Sequence, residues 1–128
     1  MNEAPKALSI HIDEPVEGSF VVALAGELDL ASATEVSQGL AGLPLRAGGT
    51  VVIDVSGLSF VDSSGLNAFV AGSRNVASRE ASLIVAAASD HLGRLFDVVR
   101  LGDSVELASS VEEALAKADE TISDDVGR

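Results

Sequence analysis

The run Phe60-Val61-Asp62-Ser63-Ser64-Gly65-Leu66 holds the residues of this chain best suited to chemistry. It lies between a β-like block, Val51 to Val55, and a segment with helical periodicity. Two serines at a strand-to-helix junction bring hydroxyls to the place where the first helical N–H groups have no intrahelical partner. An anion there is stabilised by those donors and by the helix dipole. The chemistry on offer is the holding of a phosphate, bound or covalently attached. The same residue types also cap helices with no further role, and Gly relaxes the backbone beside them. The run alone leaves both readings open.

Other chemistries find less support. A serine hydrolase needs a base in hydrogen-bond reach of its nucleophile. The elbow Gly-x-Ser-x-Gly is absent, because the run lacks the first Gly. The histidines are His11, on the polar face of an alternating strand, and His91, in the first turn of a helical segment. Both are expected at the surface. Neither they nor the scattered carboxylates have the spacing of a zinc, calcium or two-metal site, and the Asp124-Asp125 pair reads as a solvated charge run. A phosphate loop and a dinucleotide fingerprint are also missing. No catalytic residue, metal site or cofactor is assigned, and the chain is not expected to be an enzyme.

Composition narrows the partners. The net charge is −12, from 20 acidic and 8 basic residues, and the basic ones do not cluster. Nucleic acid and anionic membrane surfaces are therefore disfavoured, while a basic protein partner would be steered toward the chain. Cysteine is absent, which removes disulfides and thiol chemistry. No apolar run approaches the ~20 residues that span a bilayer. The start, Met1-Asn-Glu-Ala-Pro-Lys6, lacks the pattern of a secretory signal, so a cytoplasmic protein without membrane insertion is expected.

At 128 residues, 47% of them hydrophobic and 3% aromatic, the chain suffices for one domain with an aliphatic core. Leu8, Ile10 and Ile12 alternate with polar residues, as in a half-buried strand, and the Glu17-Gly18-Ser19 turn leads into the strand Phe20 to Gly26. Ser32 and Glu35 have capping-box spacing, with Ala33, Val36, Leu40 and Leu43 on the apolar face of the helix they would open. Val51 to Val55 reads as a central strand with both faces covered. Beyond the serines, Leu66, Phe69, Val70, Ser73 and Ala77 mark a helical stripe.

Leu83 to Ala86 forms a fourth strand, and Ser89 or Asp90 caps a helix carrying Leu92, Leu95, Phe96 and Val99. A short strand around Val105 to Leu107 follows, and Ser110 with Glu113 forms another capping box for a last helix. The order β-β-α-β-α-β-α-β-α predicts an α/β fold: a single mixed, mostly parallel sheet of about five strands with four helices. Residues 1–6 and 119–128 are expected as tails around a domain at 7–118.

Three blocks in this order carry a family likeness: Gly26-Glu27-Leu28-Asp29, then Asp54 through Leu66, then Leu95-Phe96-Asp97 with Leu101-Gly102. Together they resemble the STAS domain, specifically that of bacterial anti-sigma factor antagonists, over about residues 7–118. The resemblance implies the STAS fold and a switch. Ser63, the first serine of Asp-Ser-Ser-Gly, would be the phosphoacceptor, with Ser64 the alternative. Asp29, Asp62, Ser64 and Gly65 would face the partner, Asp29 equally well capping the first helix. That partner would be an anti-sigma factor serine kinase of the histidine-kinase-like ATPase fold. Unphosphorylated protein would bind it and free the sigma factor, phosphorylation would end binding, and a PP2C-type phosphatase would reset the cycle. The alternatives are a STAS scaffold subunit of a signalling assembly and a cytosolic accessory subunit of a membrane lipid or anion transporter. Nucleotide binding ranks last.

Overall fold

The alternating residues near the N-terminus form a hairpin of β1 (Ser9–Val16) and β2 (Ser19–Leu28), antiparallel and closed at Gly18, whose φ of +85 suits a residue without Cβ. In the computed structural model, residues 7–126 are described, with side chains from 7 to 118. After the hairpin come α1 (Leu30–Ala41), β3 (Thr50–Val61), α2 (Ser63–Ser78), β4 (Ser82–Ala86) and α3 (Asp90–Val98). A 3-10 turn (Leu101–Asp103), β5 (Glu106–Ala108) and α4 (Val111–Val126) complete the described residues. The five strands make one sheet in the order β1-β2-β3-β4-β5, parallel except for the hairpin. This is the single mixed sheet with four helices that the sequence predicts. The expected tail at 1–6 lies outside the described residues, and the backbone of α4 is helical to Val126.

Both sheet faces are covered, which explains the apolar character of β3. Val51, Ile53 and Val55 join the core under α1, α2 and α3, where Val36, Leu40, Phe69, Val76, Leu92 and Phe96 are buried. Val52 points the other way, with Ile84, Ala86 and Ala114 of α4. Phe69 and Phe96 meet edge to face, with ring centroids 6.3 Å apart. Arg79, at the end of α2, donates to the carbonyls of Leu40 and Leu43 and so fastens the end of α1.

Several local expectations change. First, α1 does not open at a Ser32–Glu35 box. Asp29 is the N-cap: its carboxylate accepts the Ser32 N–H at 3.1 Å, and its own N–H donates to the Ser32 hydroxyl at 3.0 Å. Ser32 is thereby the reciprocal partner inside the helix rather than its cap. Second, β3 runs on past Val55 to Val61. Its pairing with β4 ends at Asp54–Ala86, but Gly57, Leu58, Phe60 and Val61 go on pairing with β2.

Third, the buried face of α2 is Gly65, Ala68, Phe69, Gly72 and Val76; of the expected stripe Phe69 is buried and Leu66 and Val70 pack partly against the core, while Ala77 is exposed. Two glycines belong to the packed face because neighbours fill their side-chain space. A Cβ on Gly72 would stand 2.7 Å from a Leu40 methyl. Fourth, Val99 lies beyond α3 and is 45% exposed. The Ser110–Glu113 box is half formed: the Glu113 N–H donates to the Ser110 hydroxyl, while its carboxylate accepts from the N–H and hydroxyl of Ser109.

Candidate functional site

The site is assembled by strand register. Leu28 and Val61 are partners at the C-terminal end of the parallel β2–β3 pair. Each is followed by an aspartate that caps a helix, Asp29 for α1 and Asp62 for α2. The Asp62 N–H donates to the Leu28 carbonyl at 3.1 Å, so the two strand exits are joined where the helices begin. Two helix N-termini, each a centre of partial positive charge, therefore lie side by side at one edge of the sheet.

Asp62, not a serine, caps α2. One carboxylate oxygen accepts the N–H groups of Ser64 at 2.9 Å and Gly65 at 3.2 Å. This leaves Ser63 and Ser64 as the first two helical residues. Ser63 is exposed and Ser64 half-buried, and neither hydroxyl bonds to protein among the described residues. The serines also open in different directions. Ser63 lines a groove of about 200 Å³ between α2 and the segment Val99 to Ser104. Ser64 lines a groove of about 380 Å³ between α2 and α1, with Leu30, Thr34 and Ser37 on its far wall.

Gly65, expected to face a partner, is buried instead. A Cβ there would come within 2.7 Å of Leu28 Cγ and 2.9 Å of Val61 Cγ1, so its missing side chain admits the ends of β2 and β3. Asp29 stands at the neighbouring helix start and lines a third groove with Glu27, Glu35 and Leu8. Hydrogen bonds from the Ser32 N–H and then the Ser32 hydroxyl hold its carboxyl below the ordinary value of 3.8. Asp29 thus caps α1, on a side chain that remains partly exposed.

After Asp29 and at the end of α3 stand exposed apolar residues that the sequence reading did not single out. Leu30, directly after Asp29, is 74% exposed, and Val98 is 80% exposed. Leu30 looks onto the Ser64 groove, and Val99 and Arg100 onto the Ser63 groove. Val98 stands off the Leu92–Phe96 stripe of α3, and that mismatch was the signal available in the sequence. His11 is elsewhere, on β1, 3.2 Å from Asp13, and His91 is exposed on α3. Neither lines the groove of Ser63. No helix among the described residues is long and apolar enough to cross a membrane.

The arrangement is an exposed hydroxyl at a capped helix start, framed by apolar residues and carboxylates. It suits a surface that a partner covers and that a phosphoryl group would transform.

Residues 14–109 match the family model described as "Mlab, STAS domain". An anti-sigma-B factor antagonist of Listeria monocytogenes is 32% identical over 100 residues, covering 78% of this chain and 88% of the relative. The fold is similar to that of an anti-sigma factor antagonist from Mycobacterium paratuberculosis, with a TM-score of 0.78, 23% identity, and coverage of 92% of this chain and 99% of that one. It is also similar to the Bacillus cell fate determinant SpoIIAA in its phosphorylated form, with a TM-score of 0.59, 21% identity, and coverage of 85% and 98%. The chain belongs to the STAS domain family, and within it is similar to the bacterial anti-sigma factor antagonists.

Proposed function

We propose that this protein is an anti-sigma factor antagonist whose binding is switched off by phosphorylation of Ser63. In its unmodified form it binds an anti-sigma factor serine kinase of the ATPase fold in the cytoplasm, and the sigma factor held by that kinase is released. The observation that carries this reading is the position of Ser63: exposed, first in α2, and beside an aspartate whose carboxylate accepts the N–H groups of Ser64 and Gly65. The similarity to proteins named anti-sigma-B factor antagonists supports the same role.

In the modification step the Ser63 hydroxyl oxygen bonds to the γ-phosphorus of ATP, the bond to the β-phosphate oxygen breaks, and ADP leaves. The hydroxyl proton passes to a base on the kinase. The product carries an additional charge of about −1.5 to −2 at neutral pH. The start of α2 tolerates this charge, since its dipole favours an anion there. The partner does not. Where it presents carboxylates or a nucleotide phosphate, like-charge contact and desolvation cost several kcal/mol. A cost of ~3 kcal/mol weakens binding about a hundredfold. A PP2C-type phosphatase restores the hydroxyl.

Val99 in the Ser63 groove and Leu30 in the Ser64 groove supply exposed apolar area for the partner to cover. Calorimetric titration with the kinase tests the proposal. Unmodified protein should bind about a hundredfold more tightly than protein phosphorylated at Ser63. Equal affinities would contradict the switch.

A further inference from the structure

The groove beside Ser63 contains a cation that the binding surface just described does not use. Ser63, Leu66 and Val70 of α2 form one wall, and Val99, Arg100 and Ser104 stand on the other. Among the described residues Arg100 is the one basic residue lining this groove. It occupies the turn after α3 with φ 57 and ψ 43, the left-handed region that residues with side chains seldom enter. The turn is tied on both sides: the Arg100 N–H donates to the Asp97 carbonyl at 3.1 Å, and its own carbonyl accepts from the Asp103 N–H at 3.1 Å. The guanidinium thus extends from a fixed base at the rim of the groove.

That guanidinium pairs with Asp103, Nε to carboxylate, at 3.0 Å, and the two side chains are 79% and 66% exposed. Such an exposed pair is weak and exchanges readily. It also engages Nε, one of the five donors that a guanidinium carries.

We propose that Arg100 is an intramolecular clasp for a phosphoryl group on Ser63. On modification the guanidinium leaves Asp103 and takes the phosphate across the groove. A dianionic phosphate offers three acceptor oxygens to the planar fork, and a two-point contact of this kind outcompetes one exposed carboxylate. The surroundings favour the exchange. The chain has a net charge of −12, and Asp62 precedes Ser63 directly, so a new phosphate meets carboxylates, the start of α2 and this one lining cation. The clasp joins α2 to the turn after α3 and covers the groove wall that includes Val99. Phosphorylation then removes binding surface as well as adding charge. This inference rests on Ser63 being the modified residue.

Phosphoserine placed at position 63 during synthesis, by an expanded genetic code, makes the test independent of any kinase. The phosphate is titrated by phosphorus NMR in otherwise wild-type protein and in Arg100→Gln, with Asp62 and Asp103 the other charged groups at hand. The midpoint is expected to rise by about half a pH unit in Arg100→Gln. The Arg100 Nε–H resonance is expected to shift when phosphoserine replaces Ser63 and to show a coupling to phosphorus. Coincident midpoints, with an Arg100 resonance unmoved from its position in the unmodified protein, would overturn the clasp. The two failures are distinct. A kinase that labels another residue removes the Ser63 assignment, whereas an unmoved Arg100 removes the clasp and leaves that assignment standing.

Discussion

Ser63 and Ser64 are consecutive in the chain yet open onto different grooves, Ser63 toward Arg100 and Val99, and Ser64 toward Leu30 and Thr34 of α1. The divergence follows from helix geometry, since neighbouring helical residues point about 100° apart. With Gly65 turned into the core, the first turn of α2 divides its outer surface between two flanking elements. A kinase approaching from the side of α3 meets one serine, and one approaching along α1 meets the other. The two hydroxyls are therefore not interchangeable.

Phosphorylation at Ser63 should leave the fold in place. In backbone amide spectra, changes are expected at residues lining the Ser63 groove and in the first turn of α2, with α4 and β1 unmoved. Shifts spread through the core would contradict an interface switch and indicate a refolded helix start.

Gly65→Ala is predicted to destabilise by about 1–3 kcal/mol, because its Cβ would press on both Leu28 and Val61. Gly72→Ala is the control. The closest atom to its Cβ is a terminal methyl of Leu40, which can yield, and alanine in a helix interior regains up to ~1 kcal/mol of propensity. Urea unfolding of the two variants checks the contrast, and equal losses would contradict the packing argument.

Acid sensitivity should trace in part to Asp29. Its carboxyl is held below the ordinary value of 3.8 by hydrogen bonds from Ser32. A depressed folded-state value contributes stability at pH above the unfolded value, and that contribution is lost as pH falls through the folded one. Asp29→Asn keeps an acceptor at the cap but does not titrate. Its unfolding midpoint should therefore fall less steeply below pH 3.8 than that of the wild type. Identical slopes would show that Asp29 plays no part.

Leu30→Ala separates binding from folding. The side chain is 74% exposed, so stability should change by no more than ~0.5 kcal/mol. Affinity for the kinase should fall by about tenfold or more if Leu30 anchors the contact. Unchanged affinity would move the interface off the Ser64 groove.

The sequence made the element order legible because its strands and helices differ in apolar period, and the hairpin and three crossovers follow from that order. What it hid were effects of tertiary partners. The end of β3 looked like loop because Ser56, Gly57 and Ser59 break the apolar run, yet pairing with β2 continues through them. The phase of α2 was displaced because Gly65 and Gly72 carry no apolar side chain to count, although Leu28 and Leu40 fill their places. Ser32 and Glu35 matched a capping box, but Asp29 stands at the same spacing before Ser32, directly after the end of β2, and took the role. For the site, Asp62 and the two serines were legible as a helix start. Arg100 was not, since only the turn after α3 brings it to the groove of Ser63.

The most direct test of the central claim is the identity of the acceptor. Incubation with the cognate kinase and ATP, followed by mass spectrometry, should find one phosphoryl group on the wild type and on Ser64→Ala, and none on Ser63→Ala. Phosphate incorporated into Ser63→Ala, or lost from Ser64→Ala alone, would contradict it.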